Sequence, residues 1–328
     1  MFMNPTQPAF NHIIAFDVAK ETLAIHVLPG GLTHTIPNTA KAVAAFLKQE
    51  KKRNAKHKLG PVLVVCEATG GYERNVLDQA VALELTCHKA HGARVRTFAK
   101  YKGMKAKTDP IDARAIAIFA HDTCDLRHYA PPSPDEAALR DLKVRRDQLQ
   151  DMAIAEGNRL EHARHASVTK GIKTHIASLQ KALSALEAEI ESLLEASESL
   201  GHKARLMRSL KGVGAATVAA LLAHMPDIGT YSKAEVASLA GLAPNNNDSG
   251  KQHLPRHIEA GRSAIRRPLY MAAVVAMSCN PVMKAFAAEL KTRGKPFKVV
   301  AVAVMRKLLV TLNAIVRSGQ PWKGLQNA

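Results

Sequence analysis

Hydrophobic positions change period along the chain. From about residue 11 to residue 130, short apolar runs alternate with amphipathic stretches, which is the pattern of an α/β domain. Ile13 to Val18 reads as a short buried strand. After the turn Ala19-Lys20-Glu21, the alternation of Leu23, Ile25 and Val27 predicts its hairpin partner. Val43 to Lys51 predicts a helix with a basic end, and Pro61 opens a strand from Val62 to Cys66. A helix follows Gly70-Gly71, with Val76, Leu77, Val81 and Leu85 on one face. Thr86 to Ala90 predicts another strand, and a further helix starts at Asp109-Pro110 and runs to about His121.

Pro131 to Pro134, P-P-S-P, reads as a linker. Beyond it, Leu139, Leu142, Leu149 and Leu160 mark a helix with a partly polar seam. From Ile172 the repeat is cleaner. Ile172, Ile176, Leu179, Leu183, Leu186, Ile190, Leu193 and Leu200 alternate at spacings of three and four, with Ser197 the polar gap. This is a heptad seam, and it predicts a coiled coil within residues 131–200. A bend at H-A-R-H-A-S-V-T-K-G would make an antiparallel helix pair, and an unbroken rod would make an intermolecular dimer. The seam alone is compatible with both. Residues 201–328 read as a helical, basic third domain with two glycine-rich turns and a polar loop.

A chain of 328 residues can bury two or three sizeable cores. Its 46 Lys and Arg outnumber 28 Asp and Glu, for a net charge of +18, which favours an anionic partner. Nucleic acid fits that balance best. No membrane partner is expected, because no segment reads as the ~20 apolar residues of a span; the apolar run Val299 to Val310 is interrupted by Arg306 and Lys307. The N-terminal M-F-M-N-P-T-Q-P lacks a basic region followed by an apolar stretch, so a cytoplasmic protein is expected, associated with the nucleoid when active. Four scattered cysteines without a C-x-x-C pair read as reduced thiols. Aromatic content of 4% argues against a surface that stacks many single-stranded bases.

In this basic chain, four acids stand where strands end or helices begin: Asp17 in H-I-I-A-F-D, Glu67 in V-L-V-V-C-E-A-T-G, and Asp109 and Asp112 in K-T-D-P-I-D-A. Hard divalent cations take oxygen ligands, so such a set suits Mg²⁺, with Mn²⁺ the alternative. Two ions ~4 Å apart can stabilise the attacking and leaving oxygens of phosphodiester chemistry. An Asp on the first, central strand, a Glu closing its neighbour and an Asp pair on a later helix make such a site on a ribonuclease-H-like fold. A plainer reading applies to each acid alone. Asp109 can cap a helix opened by Pro110, with Asp112 as the capping-box acid. Asp17 can be a turn acid and Glu67 a solvated strand end.

Two basic motifs follow. In L-K-G-V-G-A-A-T, Lys211, Gly212 and Gly214 form a tight turn between short helices, a helix-hairpin-helix geometry that can bring backbone N–H groups to phosphate. A plain inter-helix turn would use the same glycines. In the polar loop L-A-P-N-N-N-D-S-G-K and the segment after it, Ser249 is surrounded in sequence by Lys251, Arg256, Arg262, Arg266 and Arg267. A serine nucleophile needs an exposed hydroxyl and cations that neutralise the phosphoryl transition state. Spacing alone describes only a turn serine in a solvated basic loop.

Taken in order, F-D-V-A-K, C-E-A-T-G, K-T-D-P-I-D-A, L-K-G-V-G and G-L-A-P-N-N-N-D-S-G resemble the DEDD-type insertion-sequence transposases of the insertion-sequence one-hundred-and-ten family, described as bridge-RNA-guided serine recombinases. The resemblance runs from about residue 12 to about residue 318. It implies a ribonuclease-H-like (RuvC-like) catalytic domain over 11–130, a coiled-coil insertion for oligomerisation over 131–200, and an α-helical transposase domain over 201–328. It implies metal ligation by Asp17, Glu67, Asp109 and Asp112, and a covalent phosphoserine link to DNA through Ser249. It further implies target and donor DNA and a structured non-coding guide RNA as partners, with a dimer, or a tetramer in synapsis, in which the acids of one protomer work with the serine of another. Two other functions remain open on the residues: a junction-resolvase-like nuclease using water, and a non-catalytic nucleic-acid scaffold.

Overall fold

Strand β1 (His12–Val18) is flanked on one side by β2 (Thr22–Leu28), which is antiparallel to it, and on the other by β4 (Val62–Glu67), which is parallel. An edge strand β3 (Leu32–Pro37) continues from β2, and β5 (Thr86–Ala90) pairs parallel with β4, giving the order β3-β2-β1-β4-β5. This computed structural model describes residues 10–104, 109–123, 126–245, 248–249, 252–253, 257–258 and 261–323, with backbone alone for 109–111 and 244–258. Contacts divide the chain after Pro131 into two units. The first has the mixed sheet expected of a ribonuclease-H-like domain, and its order and strand directions are compatible with that fold.

Side chains alternate across each strand, so the sheet builds two cores. Ile14, Phe16, Leu23, Ile25, Val64 and Cys66 face α1 (Ala40–His57) and α2 (Arg74–Ala82). Ile13, Ala15, Leu63 and Val65 face α3 (Gly92–Tyr101) and α4 (Asp109–Asp122). Thr39 starts α1 by accepting a hydrogen bond from the Ala42 N–H at 3.3 Å. After α4 the chain runs beside β5, where the Tyr129 N–H donates to the Cys87 carbonyl at 2.6 Å. Two elements escaped the hydrophobic pattern. Strand β3 is exposed along most of its length, and α3 buries Val95 alone, so neither carries the periodicity of a buried face.

The second unit begins with α5 (Pro134–His162), and its last linker proline is in fact the first helical residue. Ser133 accepts from the Glu136 N–H at 3.2 Å and donates its own N–H to the Glu136 carboxylate at 2.9 Å, a complete capping box. Helix α6 (Ala166–Ala196) returns along α5, so the continuous rod is ruled out in favour of a helical hairpin. Its antiparallel register is marked by the ion pairs Arg146–Glu187 at 2.7 Å and Glu156–His175 at 3.4 Å, and by Leu149 against Leu179 and Leu183. The expected seam shifts near its end, with Leu194 buried and Leu193 only half-buried. Ser197 is no gap within a helix; it separates α6 from α7 (Glu198–Arg208).

Helices α7, α8 (Ala215–His224), α9 (Lys233–Leu239), α10 (Ser263–Cys279), α11 (Pro281–Thr292) and α12 (Phe297–Ser318) share one core with the base of the hairpin, through Leu139, Ile190 and Leu194. Among the described residues between α9 and α10 are the two-residue strands β6 (Pro244–Asn245), β7 (Asp248–Ser249), β8 (Gln252–His253) and β9 (His257–Ile258). By length and composition α12 could cross a bilayer, contrary to the expectation that no such segment exists. Half of it is buried in this core, where Val300, Val304, Leu308 and Leu312 repeat at helical spacing.

The α7–α8 turn packs on α10. A Cβ added at Gly212 would lie 2.6 Å from the Ala276 Cβ and 2.7 Å from its Cα, whereas one at Gly214 would meet nothing within 4 Å. The two glycines of the turn therefore serve different ends. Gly212→Ala should cost about 2 kcal/mol or more, read as a lowered Tm by circular dichroism, while Gly214→Ala should stay within about 0.5 kcal/mol of the wild type.

Candidate active site

Asp17 and Glu67 are brought together by strand pairing. Phe16 is the register partner of Cys66, so the residues that follow each, Asp17 and Glu67, are level on adjacent parallel strands ~4.8 Å apart. Alternation places both on the face that carries Ala15 and Val65, the α4 side. The C-terminal end of α4 lies at the opposite edge of the sheet, since Ile118 and His121 line a hollow with Asn11 and Leu28. Its N-terminal end, with Asp109 and Asp112, is thus directed toward the edge where β1 and β4 finish. Asp112 is half-buried, one turn before Ile116, which packs on the sheet. Asp109 opens α4 itself and is described by backbone alone.

Oxygen donors from three elements suit a hard cation, and Asp17, Glu67, Asp112 and Asp109 would hold it. Among the described residues, however, no three His, Cys, Asp or Glu side chains are close enough to hold an ion together. The Glu67 carboxylate has a cationic partner. Its Oε1 is 3.3 Å from Nη1 of Arg96, one turn into α3, and its carboxylate rests against Gly92 at the start of that helix. A Cβ at Gly92 would come within 1.9 Å of the same oxygen. Gly92 and Arg96 escaped the sequence reading because α3 itself did; a glycine opening a helix straight after a strand was the available signal.

Behind this edge the loop A-T-G-G is held by Glu73. Its Oε2 accepts the N–H groups of Gly71 at 2.8 Å and Thr69 at 3.1 Å, and Lys89 of β5 donates to Oε1. Burial alone would raise the Glu73 carboxyl, but the bonds from Lys89 and the backbone outweigh it and hold the group at about 2. This acid, also absent from the expected set, fixes the strand end that carries Glu67.

In the second unit the ribbon carrying Ser249 rises from a pinned base. Gly261, at φ 73°, packs backbone on backbone against Gly241, where a Cβ would lie 2.1 Å from the Gly241 nitrogen. The Arg262 N–H donates to the Leu239 carbonyl at 2.8 Å. Above this base β6 pairs with β9 and then β7 with β8, so Ser249, opposite Gln252, is a strand residue in the outer pair. Its side chain is not described, and Lys251 and Arg256 lie outside the described residues. Arg262 donates to the His224 carbonyl, tying α10 to the end of α8. Arg267 is exposed and 3.2 Å from Asp151 of the hairpin, and Arg266 is half-buried. Lys211 is exposed, with its carbonyl accepting from Asn280 at 3.1 Å.

A DEDD transposase model of the IS110 group, described as "Transposase", matches residues 14–163, and a model described as "Transposase IS116/IS110/IS902 family" matches residues 204–288. The chain belongs to the IS110 transposase family. As such it is a transposase, a DNA-cleaving and rejoining enzyme, and a DEDD domain implies dependence on divalent metal. The transposase is 29% identical over 264 residues to the pilin gene-inverting protein of Moraxella bovis, covering 79% of this chain and 81% of that one. The Moraxella lacunata protein of the same name is 28% identical over the same shares. A 43.6 kDa protein of insertion element IS110 from Streptomyces coelicolor is 29% identical over 157 residues, covering 46% of this chain and 37% of that one.

Two outcomes test the site. Gly92→Ala should displace the Glu67 carboxylate and reduce DNA cleavage at least about tenfold with little change in Tm. Glu73→Gln should lower stability by an amount on the order of 3 kcal/mol near neutrality. Because the folded pKa is depressed from 4.5 to about 2, the wild type's advantage is complete above pH 4.5 and disappears as pH falls through about 2. Thermal melts of both proteins across that range would measure it.

Proposed function

We propose that the transposase is an RNA-guided, site-specific recombinase that moves an insertion sequence by way of a covalent Ser249–DNA intermediate. The observation that carries the catalytic half is the level placement of Asp17 and Glu67 on one face of adjacent strands, toward the end where α4 begins with Asp109 and Asp112. The family models cover both regions that the proposal uses, one spanning the four acids and the other the segment that includes Ser249.

Bound Mg²⁺ or Mn²⁺ would supply charge neutralisation for phosphodiester cleavage. Asp17, Glu67, Asp109 and Asp112 would hold it, and leaving Arg96 is part of that task for Glu67. Ser249 loses its hydroxyl proton to solvent and attacks phosphorus. An Oγ–P bond forms, a backbone P–O bond breaks, and the freed sugar hydroxyl takes up a proton. Attack by a second strand's hydroxyl on the phosphoserine then rejoins DNA and releases the serine. No base beside Ser249 is needed if the acids of another protomer serve it, which is why a dimer, or a tetramer in synapsis, is the working form. The helical hairpin, read as the coiled coil of this family, is the proposed contact between protomers.

Specificity would reside in base pairing between a structured guide RNA and both target and donor DNA, with the protein contacting backbones. The low aromatic content and surplus of Lys and Arg suit that division. Lys211, Gly214, Lys251, Arg256, Arg266 and Arg267 are the proposed backbone contacts.

Incubation with guide RNA, DNA and Mg²⁺ followed by denaturing electrophoresis should trap a protein–DNA adduct. It should vanish in Ser249→Ala and in Asp17→Asn but persist in Ser263→Ala. Cleavage without an adduct would point to a water-using nuclease, and an adduct in Ser249→Ala would assign the nucleophile elsewhere.

A further inference from the structure

A cationic surface lies beyond both family-model matches. Every residue from Lys291 to Val299, the turn from α11 into α12, is exposed, and Lys291, Arg293, Lys295 and Lys298 fall within it. Between Pro281 and Ala328 the chain has nine Lys and Arg and a single acid, Glu289, so local charge is almost unopposed. That acid binds Arg293 at 2.5 Å, and among the described residues no ion pair engages Lys291, Lys295 or Lys298. Two apolar side chains stand among these cations, Phe297 at 50% and Val299 at 51% exposure. Directly after them Val300, Ala301 and Val304 are buried, so the turn is mounted on the core. Arg306 is exposed on the Lys298 face of α12, about 12 Å further along the helix.

We infer that this turn is a docking surface for the backbone of duplex DNA, separate from the turn at Gly214 and the ribbon of Ser249. Lys291, Lys295 and Lys298 neutralise phosphates, and Phe297 with Val299 supplies apolar contact to the groove between them. Exposed aromatic and aliphatic side chains set among cations suit minor-groove contact, where apolar residues lie against or between base steps. An anionic membrane would offer similar charge, but the apolar face of α12 that would enter it is already committed to the core. The inference rests on DNA being the substrate and not on the serine chemistry.

Binding of a duplex oligonucleotide by the full chain, followed by fluorescence anisotropy without metal in an Asp17→Asn background, separates it from catalysis. Removing three phosphate contacts in Lys291→Ala/Lys295→Ala/Lys298→Ala should reduce the slope of log K against log salt by roughly 3, and weaken binding at least about tenfold at ~0.1 M salt. Phe297→Ala should weaken binding with the slope unchanged. Lys48→Ala/Lys52→Ala/Lys56→Ala, which removes equal charge from the exposed side of α1, is the control. Equal slopes and affinities for the two triple variants would overturn the assignment. So would loss of binding to phosphatidylserine vesicles with DNA binding intact, which would give the turn to a membrane.

Discussion

The parallel pairing of β1 with β4 is the constraint on which the catalytic end depends. Because Phe16 and Cys66 are register partners, the next residue on each strand, Asp17 and Glu67, is level with the other. A slip of one residue in either strand would turn its carboxylate to the α1 side of the sheet, into the opposite core. Burial of alternate side chains on both faces makes that slip costly. The Glu73–Lys89 pair and the backbone bonds to Thr69 and Gly71 then hold the loop that follows β4. The level placement of Asp17 and Glu67 is thus a by-product of core packing.

The second unit solves a different problem, which is to carry a polar, basic segment with little core of its own. Its solution is to tighten the base. Gly241 and Gly261 meet backbone to backbone, a spacing that any larger side chain would break, and two tiers of short strand pairing carry the chain outward to Ser249. Gly212 works in the same way against Ala276. Close backbone approach, more than hydrogen bonding or ion pairs, sets the turns here. The surface ion pairs, such as Arg267 with Asp151, contribute little by comparison.

Arg96 gives Glu67 a cationic partner where the proposed chemistry would place a metal. A guanidinium as exposed as that of Arg96 can hold the carboxylate in place at low cost and be exchanged for a stronger cation. The four acids lie in the first unit and Ser249 in the second.

Much of this was legible in the residues. Alternation in Ile13–Val18 and Leu23–Val27 announced the central hairpin, and order alone, with Asp17 on one strand and Glu67 closing another, pointed to a shared edge. K-T-D-P-I-D-A, C-E-A-T-G and L-K-G-V-G led to the family, because their sequence along the chain is more specific than any single motif. What remained hidden had a common cause. Strand β3 and helix α3 bury too little to leave a periodic mark, so Gly92 and Arg96 came into view only with the fold. Whether the heptads made a rod or a hairpin turned on contacts between Leu149 and Leu183, which are far apart in the chain. Hydropathy made α12 an interrupted apolar run, while packing made it a central helix of the second core. Local pattern determined most of the elements; only long-range packing decided which of their side chains share a face, because a face is defined by what covers it.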